Sequence, residues 1–126
     1  MAERCLCKPD EMLLFACSGA SNVGQIANRV AVELAQENAG RMFCLAGIGG
    51  HVSGIVESTK AAKRIVAIDG CPVQCARRTL EHAGFQVSDP VMVTDAGIKK
   101  SHSFDLNPED VERVKATVRD LLERPA

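Results

Sequence analysis

The sequence predicts an α/β fold: a small open parallel sheet of about four strands with helices on both faces, Rossmann-like or flavodoxin-like and three-layered. Three observations predict it. Strand-length apolar runs alternate with segments of helical spacing four times along the chain. The connections between them are short, which suits successive crossovers within one sheet. The first run, Met12-Leu13-Leu14-Phe15-Ala16, is continuously apolar, as expected of a strand covered on both faces.

Taken in order, residues 1–11 are polar and charged, include Pro9, and read as an N-terminal arm. Residues 12–126 read as one α/β domain, uninterrupted by a repeat, linker or low-complexity stretch. The first strand ends at Cys17, and Ser21 or Asn22 caps a helix whose apolar positions Val23, Ile26, Ala27, Val30, Ala31 and Leu34 keep the helical period. Gly40 ends the connection. Arg41–Leu45 is the second strand, running into Ala46-Gly47-Ile48-Gly49-Gly50, whose glycines permit positive φ and close approach. Ser53 caps a helix carrying Ile55, Val56, Thr59 and Ala62.

The third strand, Arg64–Ile68, is rich in β-branched residues and enters Asp69-Gly70-Cys71-Pro72-Val73-Gln74-Cys75. Pro72 suits the first position of a helix that presents Val73, Ala76, Leu80 and Ala83 and stops at Gly84. Cys71 and Cys75, four apart, then share one side of its opening turn. A helix N-terminus also lowers the cost of a thiolate. The fourth strand is Val91–Thr94, followed by the loop from Asp95 through Phe104. Asn107-Pro108-Glu109-Asp110 combines cap, first-position proline and first-turn acids, and opens a helix with Val111, Val114, Val118, Leu121 and Leu122 on one face.

Composition narrows the function classes. The chain has 126 residues, 46% of them hydrophobic and 25% charged, with four Phe and no Trp or Tyr. A net charge of −1 offers nothing global for nucleic acid or an anionic membrane surface. No apolar run approaches the ~20 residues of a membrane span, and the N-terminus has no signal-type apolar core. The expected location is the cytoplasm. Six cysteines in such a chain exceed what packing requires. In a reducing compartment they argue for metal binding or thiol chemistry over a disulfide framework.

Their positions sharpen the argument. In a parallel sheet the carboxyl ends of all strands lie on one edge, where ligands bind. Cys17, Cys44 and Cys71 fall at or near the ends of the first three strands, and Cys75 lies one turn into the following helix. Cys17, Cys44, Cys71 and Cys75 are thus the candidate metal ligands. Four thiolates suit a tetrahedral Zn²⁺ site with Zn–S of about 2.3 Å, and equally the ligand set of an iron–sulfur cluster. Cys5 and Cys7, a Cys-x-Cys pair in the arm, are either exposed thiols or ligands or resolving thiols that fold back. Extended chain covers ~3.3 Å per residue, enough to reach.

Other signals carry less. The Cys17–Gly24 loop sits where phosphatase loops cradle an anion, but lacks their closing arginine; anion binding by its amides stays open. Asp69 and Asp95, at strand ends, read as capping or loop residues before acids. His51, His82 and His102 read as solvated, and Lys99, Lys100 and His102 as a basic loop.

Phe15-Ala16-Cys17-Ser18-Gly19, Cys44-Leu45-Ala46-Gly47-Ile48-Gly49 and Ile68-Asp69-Gly70-Cys71-Pro72-x-x-Cys75-Ala76 together resemble the DGC-domain proteins, a family described as zinc-binding and named for its Asp-Gly-Cys. The resemblance runs from about Met12 over nearly the whole chain. It implies four chelating cysteines, which map to Cys17, Cys44, Cys71 and Cys75, and it attaches no reaction. Three readings follow: a zinc-binding protein, a thiol or persulfide protein using Cys71 and Cys75, and an iron–sulfur protein. The expected partner is a metal ion, with neither nucleic acid nor membrane; protein partners are left open by the sequence.

Overall fold

A computed structural model describes residues 11–124. Four strands, β1 (Met12–Ala16), β2 (Arg41–Met42), β3 (Arg64–Asp69) and β4 (Asp89–Met92), form one sheet in the order β2-β1-β3-β4. Every pairing is parallel. The helices are α1 (Asn22–Gln36), α2 (Leu45–Gly49), α3 (Ser53–Thr59), α4 (Cys75–His82) and α5 (Pro108–Glu123). This is the predicted fold class.

The central strands β1 and β3 are buried along their whole length, and their alternation sorts the core into two layers. Met12, Leu14, Ala16, Val66 and Ile68 pack with Val23, Ile26 and Val30 of α1 and with Val114 and Val118 of α5. Leu13, Phe15, Ile65 and Ala67 face the other way, against Ile48 of α2 and Ala76 and Leu80 of α4. Helices therefore cover both faces. Ala16 pairs with Ile68, so β1 and β3 end level, and the Cys17 amide still donates to the Ile68 carbonyl at 2.9 Å. The chain leaves β1 toward β2 on one side and later returns past it to β3 on the other. The strand order reverses between β1 and β3, which makes that crevice the topological switch point of the sheet.

The first and last helices follow the sequence. Ser21 Oγ accepts the Gly24 amide at 3.1 Å, and Asn107 Oδ1 accepts the Glu109 amide at 2.9 Å with Pro108 at the first helical turn. The middle of the chain departs from it. β2 is two residues long, and Cys44 caps α2 instead of ending a strand. The stretch expected as a glycine loop is helical because Ile48, fully buried, pulls it onto the sheet. Among its glycines none has positive φ; Gly47 instead admits Ile55, whose Cγ1 would lie 2.7 Å from a Cβ there. Two helices, not one, thus connect β2 to β3. Ser53 is the first residue of α3 and Val52 the cap, without a side-chain bond.

Pro72 does not open α4. The Gln74 amide donates to the Cys71 carbonyl at 3.0 Å, so Cys71–Gln74 is a β-turn whose second position suits the fixed φ of proline. Gln74 then takes a left-handed conformation, φ 54° and ψ 52°, and the helix begins at Cys75. β4 starts two residues earlier than expected and gives way to a 3-10 turn, Val93–Ala96. No helix among the described residues is long and apolar enough to cross a membrane.

Candidate functional site

All four sequence-predicted cysteines of the folded region stand at the carboxyl edge of the sheet, and all are free thiols. Cys17 directly follows β1. Cys44 lies just past β2, Cys71 just past β3, and Cys75 opens α4. Because β1 runs between β2 and β3, Cys17 is flanked by Cys44 on one side and by Cys71 and Cys75 on the other. Cys17 and Cys71 are half-buried and pack against the core layer of α1 and α5. Cys44 and Cys75 are exposed and lead into α2 and α4 on the opposite face. The thiols straddle the sheet edge at the switch point.

Each sulfur has its own surroundings. Cys17 Sγ accepts the Gly19 amide at 3.3 Å. Burial pushes this thiol up from its ordinary value, and amides of Gly19 and Gly70 pull against that; the charges of Asp69 and Cys75 add to the rise. Cys44 Sγ caps α2 by accepting the Gly47 amide at 3.3 Å. Lys100 Nζ donates to Cys71 Sγ at 3.6 Å. Among the described residues, no three His, Cys, Asp or Glu side chains stand close enough together to hold a metal ion. The cysteines are gathered along one edge without closing into a tetrahedron. Cys5 and Cys7 lie outside the described residues.

Asp69 proves to be a capping residue. Only 1% exposed, it accepts the Ala76 amide at 2.7 Å and the Arg77 amide at 3.1 Å. Burial raises its pKa, and these two amides and the Arg77 charge oppose the rise. Gly70 lies against α1: a Cβ there would fall 2.8 Å from the Gly24 nitrogen. Arg77 pairs with Glu81 at 3.2 Å. Asp95 is exposed on the 3-10 turn.

Several amides of the Cys17–Gly24 loop are taken by the protein's own acceptors. Ser21 N donates to Gly19 O, Asn22 N to Ser101 O, and Gly24 N to Ser21 Oγ. His51, His82 and His102 are exposed. The first two bring their rings to 5.7 Å beyond the far ends of α2 and α4, away from the cysteines.

One feature of the edge escaped the sequence. The loop after the 3-10 turn is strapped to the start of α1 by Asn22, whose Nδ2 donates to Lys99 O at 2.9 Å and whose Oδ1 accepts the Ser101 amide at 2.6 Å. That strap carries Lys100 to Cys71. The basic loop was visible as composition, but a clamp between residues nearly eighty positions apart leaves no local signal.

A doubly wound parallel sheet with free thiols arrayed on its carboxyl edge defines a cysteine-site α/β protein. The family comparison makes the class specific: the DGC domain matches residues 13–118, and the chain belongs to that family. It is 34% identical over 116 residues to the Anaerobic and virulence modulator AnvM of Pseudomonas aeruginosa, covering 90% of this chain and 88% of that relative. No solved structure matches it significantly.

Proposed function

We propose that this DGC-domain protein binds one Zn²⁺ through Cys17, Cys44, Cys71 and Cys75 and acts as a zinc-dependent regulatory protein in the cytoplasm. The observation that carries the reading is the gathering of four free thiols from three strand ends on one sheet edge, with Cys17 central. The donor chemistry fits a soft, tetrahedral ion. Two of the sulfurs already accept backbone amides, the kind of outer hydrogen bond that orients metal ligands. Holding one ion through all four sulfurs would require the Cys71–Gln74 turn and the start of α2 to close on Cys17. With four thiolates engaged the ion has no open position, and its role is structural or sensory. The relative's designation as an anaerobic and virulence modulator supports regulation over catalysis.

Metal analysis of untagged protein prepared without oxygen tests the reading. One equivalent of zinc in the wild type, lost in Cys17→Ser and Cys71→Ser, is the expected result. Substoichiometric zinc that Cys71→Ser leaves unchanged overturns it, and iron with visible absorption assigns an iron–sulfur cluster instead.

The Lys100–Cys71 contact favours a second reading, in which Cys71 and Cys75 perform thiol or persulfide chemistry. Mass spectrometry of the metal-free protein under controlled redox decides it. A mass gain of one sulfur, or an internal disulfide at Cys71 or Cys75, supports this reading; uniform alkylation of all thiols excludes it.

A further inference from the structure

We propose that the carboxyl edge of the sheet docks an acidic segment of a partner protein, with Phe104 and Val73 as apolar anchors and Lys99 and Lys100 as charges. The proposal does not depend on a bound metal. Among the described residues, three large hydrophobic side chains stand half or more exposed: Val52 at 51%, Val73 at 54% and Phe104 at 63%. A single exposed apolar residue is ordinary, but two of these three are brought together. Val73 lies in the Cys71–Gln74 turn and Phe104 in the loop between the 3-10 turn and α5. The contact of Lys100 Nζ with Cys71 Sγ, at 3.6 Å, joins the two segments. Val73 is two positions from Cys71 and Phe104 four from Lys100, spans of at most ~3.6 Å per residue. One extended ligand can therefore touch both.

The loop is held in shape although residues 99–105 are all exposed. Asn22 donates its side-chain nitrogen to Lys99 O and its backbone N–H to Ser101 O, and its side-chain oxygen accepts the Ser101 amide. Ser101 Oγ then accepts the Ser103 amide, and Ser103 Oγ the Asp105 amide. Buried Ile98 and core-packed Leu106 anchor the two ends. Phe104 is thus set outward before any partner arrives, which lowers the ordering cost of binding.

The charge pattern gives the sign of the partner. The chain carries 16 Asp and Glu and a net charge of −1. The edge segments 17–24, 43–52, 70–78 and 97–104 nevertheless contain no Asp or Glu, and they hold Lys99, Lys100, Arg77 and Arg78. Asp69, at the end of β3, is buried and occupied by two helix amides. A basic edge on an acidic chain complements an acidic segment and disfavours a long polyanion, which the remaining acids repel. A small anion would make no use of Phe104 or Val73, whereas apolar anchors within a polar surround are what a protein segment buries.

Selection from a displayed library of random peptides on the full-length protein, with a chelator present throughout, tests the proposal. Enrichment of sequences that combine Asp or Glu with large apolar residues is the expected result. The tightest of these, labelled and followed by fluorescence anisotropy, should lose affinity severalfold in Phe104→Ser and in Val73→Ser. It should lose affinity likewise in the double variant Lys99→Gln, Lys100→Gln, where the dependence on salt should also flatten. All four side chains are exposed, so unchanged urea midpoints should separate lost docking from lost folding. No enrichment, enrichment of basic or neutral peptides, or equal binding to Phe104→Ser and wild type overturns the proposal. Tighter binding of oligothymidylate or of phosphatidylglycerol vesicles than of any selected peptide also overturns it, and assigns the edge to nucleic acid or to a membrane surface.

Discussion

The Asp69 carboxylate accepts the Ala76 amide at 2.7 Å, so the end of β3 caps the helix that follows it across the intervening turn. Gln74, the residue at the head of α4, makes no side-chain cap bond. Asp69 fills that role from five residues upstream. The Asp-Gly-Cys motif divides its labour accordingly: Asp69 caps α4, Gly70 lets β3 approach α1, and Cys71 presents its sulfur. The turn that bears Cys71 is closed into a ring by the capping bonds.

Replacing Asp69 by Ala leaves two helix-end amides without their acceptor, at about 1–3 kcal/mol for each buried unsatisfied group. Urea denaturation should show a loss of about 2–6 kcal/mol for Asp69→Ala on that basis and a smaller one for Asp69→Asn, which keeps one oxygen. The pH dependence has a definite sign. Burial raises the folded pKa of Asp69 above its ordinary 3.8, so the folded state holds the proton more tightly than the unfolded one. The stability this contributes is complete below about 3.8 and declines as pH rises through the folded value. The advantage of wild type over Asp69→Asn should shrink across that window; a gap that widens with pH would contradict the assignment.

Gly70→Ala tests the contact between β3 and α1. The added methyl would lie 2.8 Å from both Gly24 N and Val23 C, and backbone cannot step aside as a flexible side chain can. Overpacking of this kind costs about 1–3 kcal/mol. The expected thermal shift is downward. A Gly70→Ala protein as stable as wild type would mean that α1 has room to retreat.

At the opposite edge of the sheet, Arg64 joins β3 to the end of α5. Its guanidinium, 3% exposed, pairs with Asp89 at 2.9 Å and donates to the carbonyls of Leu121, Leu122 and Arg124. Those carbonyls end a helix, where a cation is favoured. Arg64→Met strands both the carboxylate and the carbonyls, and breaking a buried pair from one side costs about 3–5 kcal/mol. Hydrogen exchange should locate the loss in the last turn of α5 and in β4.

Glu37 should contribute to the acid limb of stability. Hydrogen bonds from Lys115 and Arg119 hold its carboxyl below the ordinary 4.5. A depressed carboxylate contributes stability above its unfolded pKa and loses it as pH falls through the folded value. Glu37→Gln should therefore flatten the decline of stability below about pH 4.5, and added salt should reduce the difference because the pair is surface-exposed. Chemical denaturation at pH 3 and pH 6 measures it.

What the sequence revealed follows the range of its signals. β1 and β3 were legible because continuous apolar runs of strand length have few other outcomes, and α1 and α5 because caps and periodicity agree. Cys17, Cys71 and Cys75 were placed at the right edge by topology alone. α2 was not legible: five residues with two glycines have little helical propensity, and burial of Ile48 against the sheet decides their state. The start of α4 was missed for a different reason. Proline serves the first turn of a helix and the second position of a β-turn equally well, and the choice fell to Asp69, whose acceptor pair fixes the first free amides at Ala76 and Arg77. Asn22 was read as a local cap, while its side chain bonds residues at the far end of the domain.

The thiols should react in an order set by exposure and burial. Cys44 and Cys75 are exposed, whereas Cys17 and Cys71 are half-buried. Burial raises the Cys17 pKa above its ordinary 9.0, and the Gly19 and Gly70 amides only partly offset this. The nucleophile is the thiolate, so Cys17 has the smaller reactive fraction as well as the poorer access. Timed alkylation of metal-free protein with iodoacetamide near pH 8, read by peptide mass spectrometry, should find Cys44 and Cys75 modified first and Cys17 last. The Cys17 rate should keep climbing with pH beyond about 9, where an ordinary thiol levels off. Zinc, bound as proposed, should protect all four together, because no ligand of a closed tetrathiolate site is left free. Protection confined to Cys71 and Cys75 would reduce the site to a two-sulfur one and return Cys17 and Cys44 to the role of caps for their own turns.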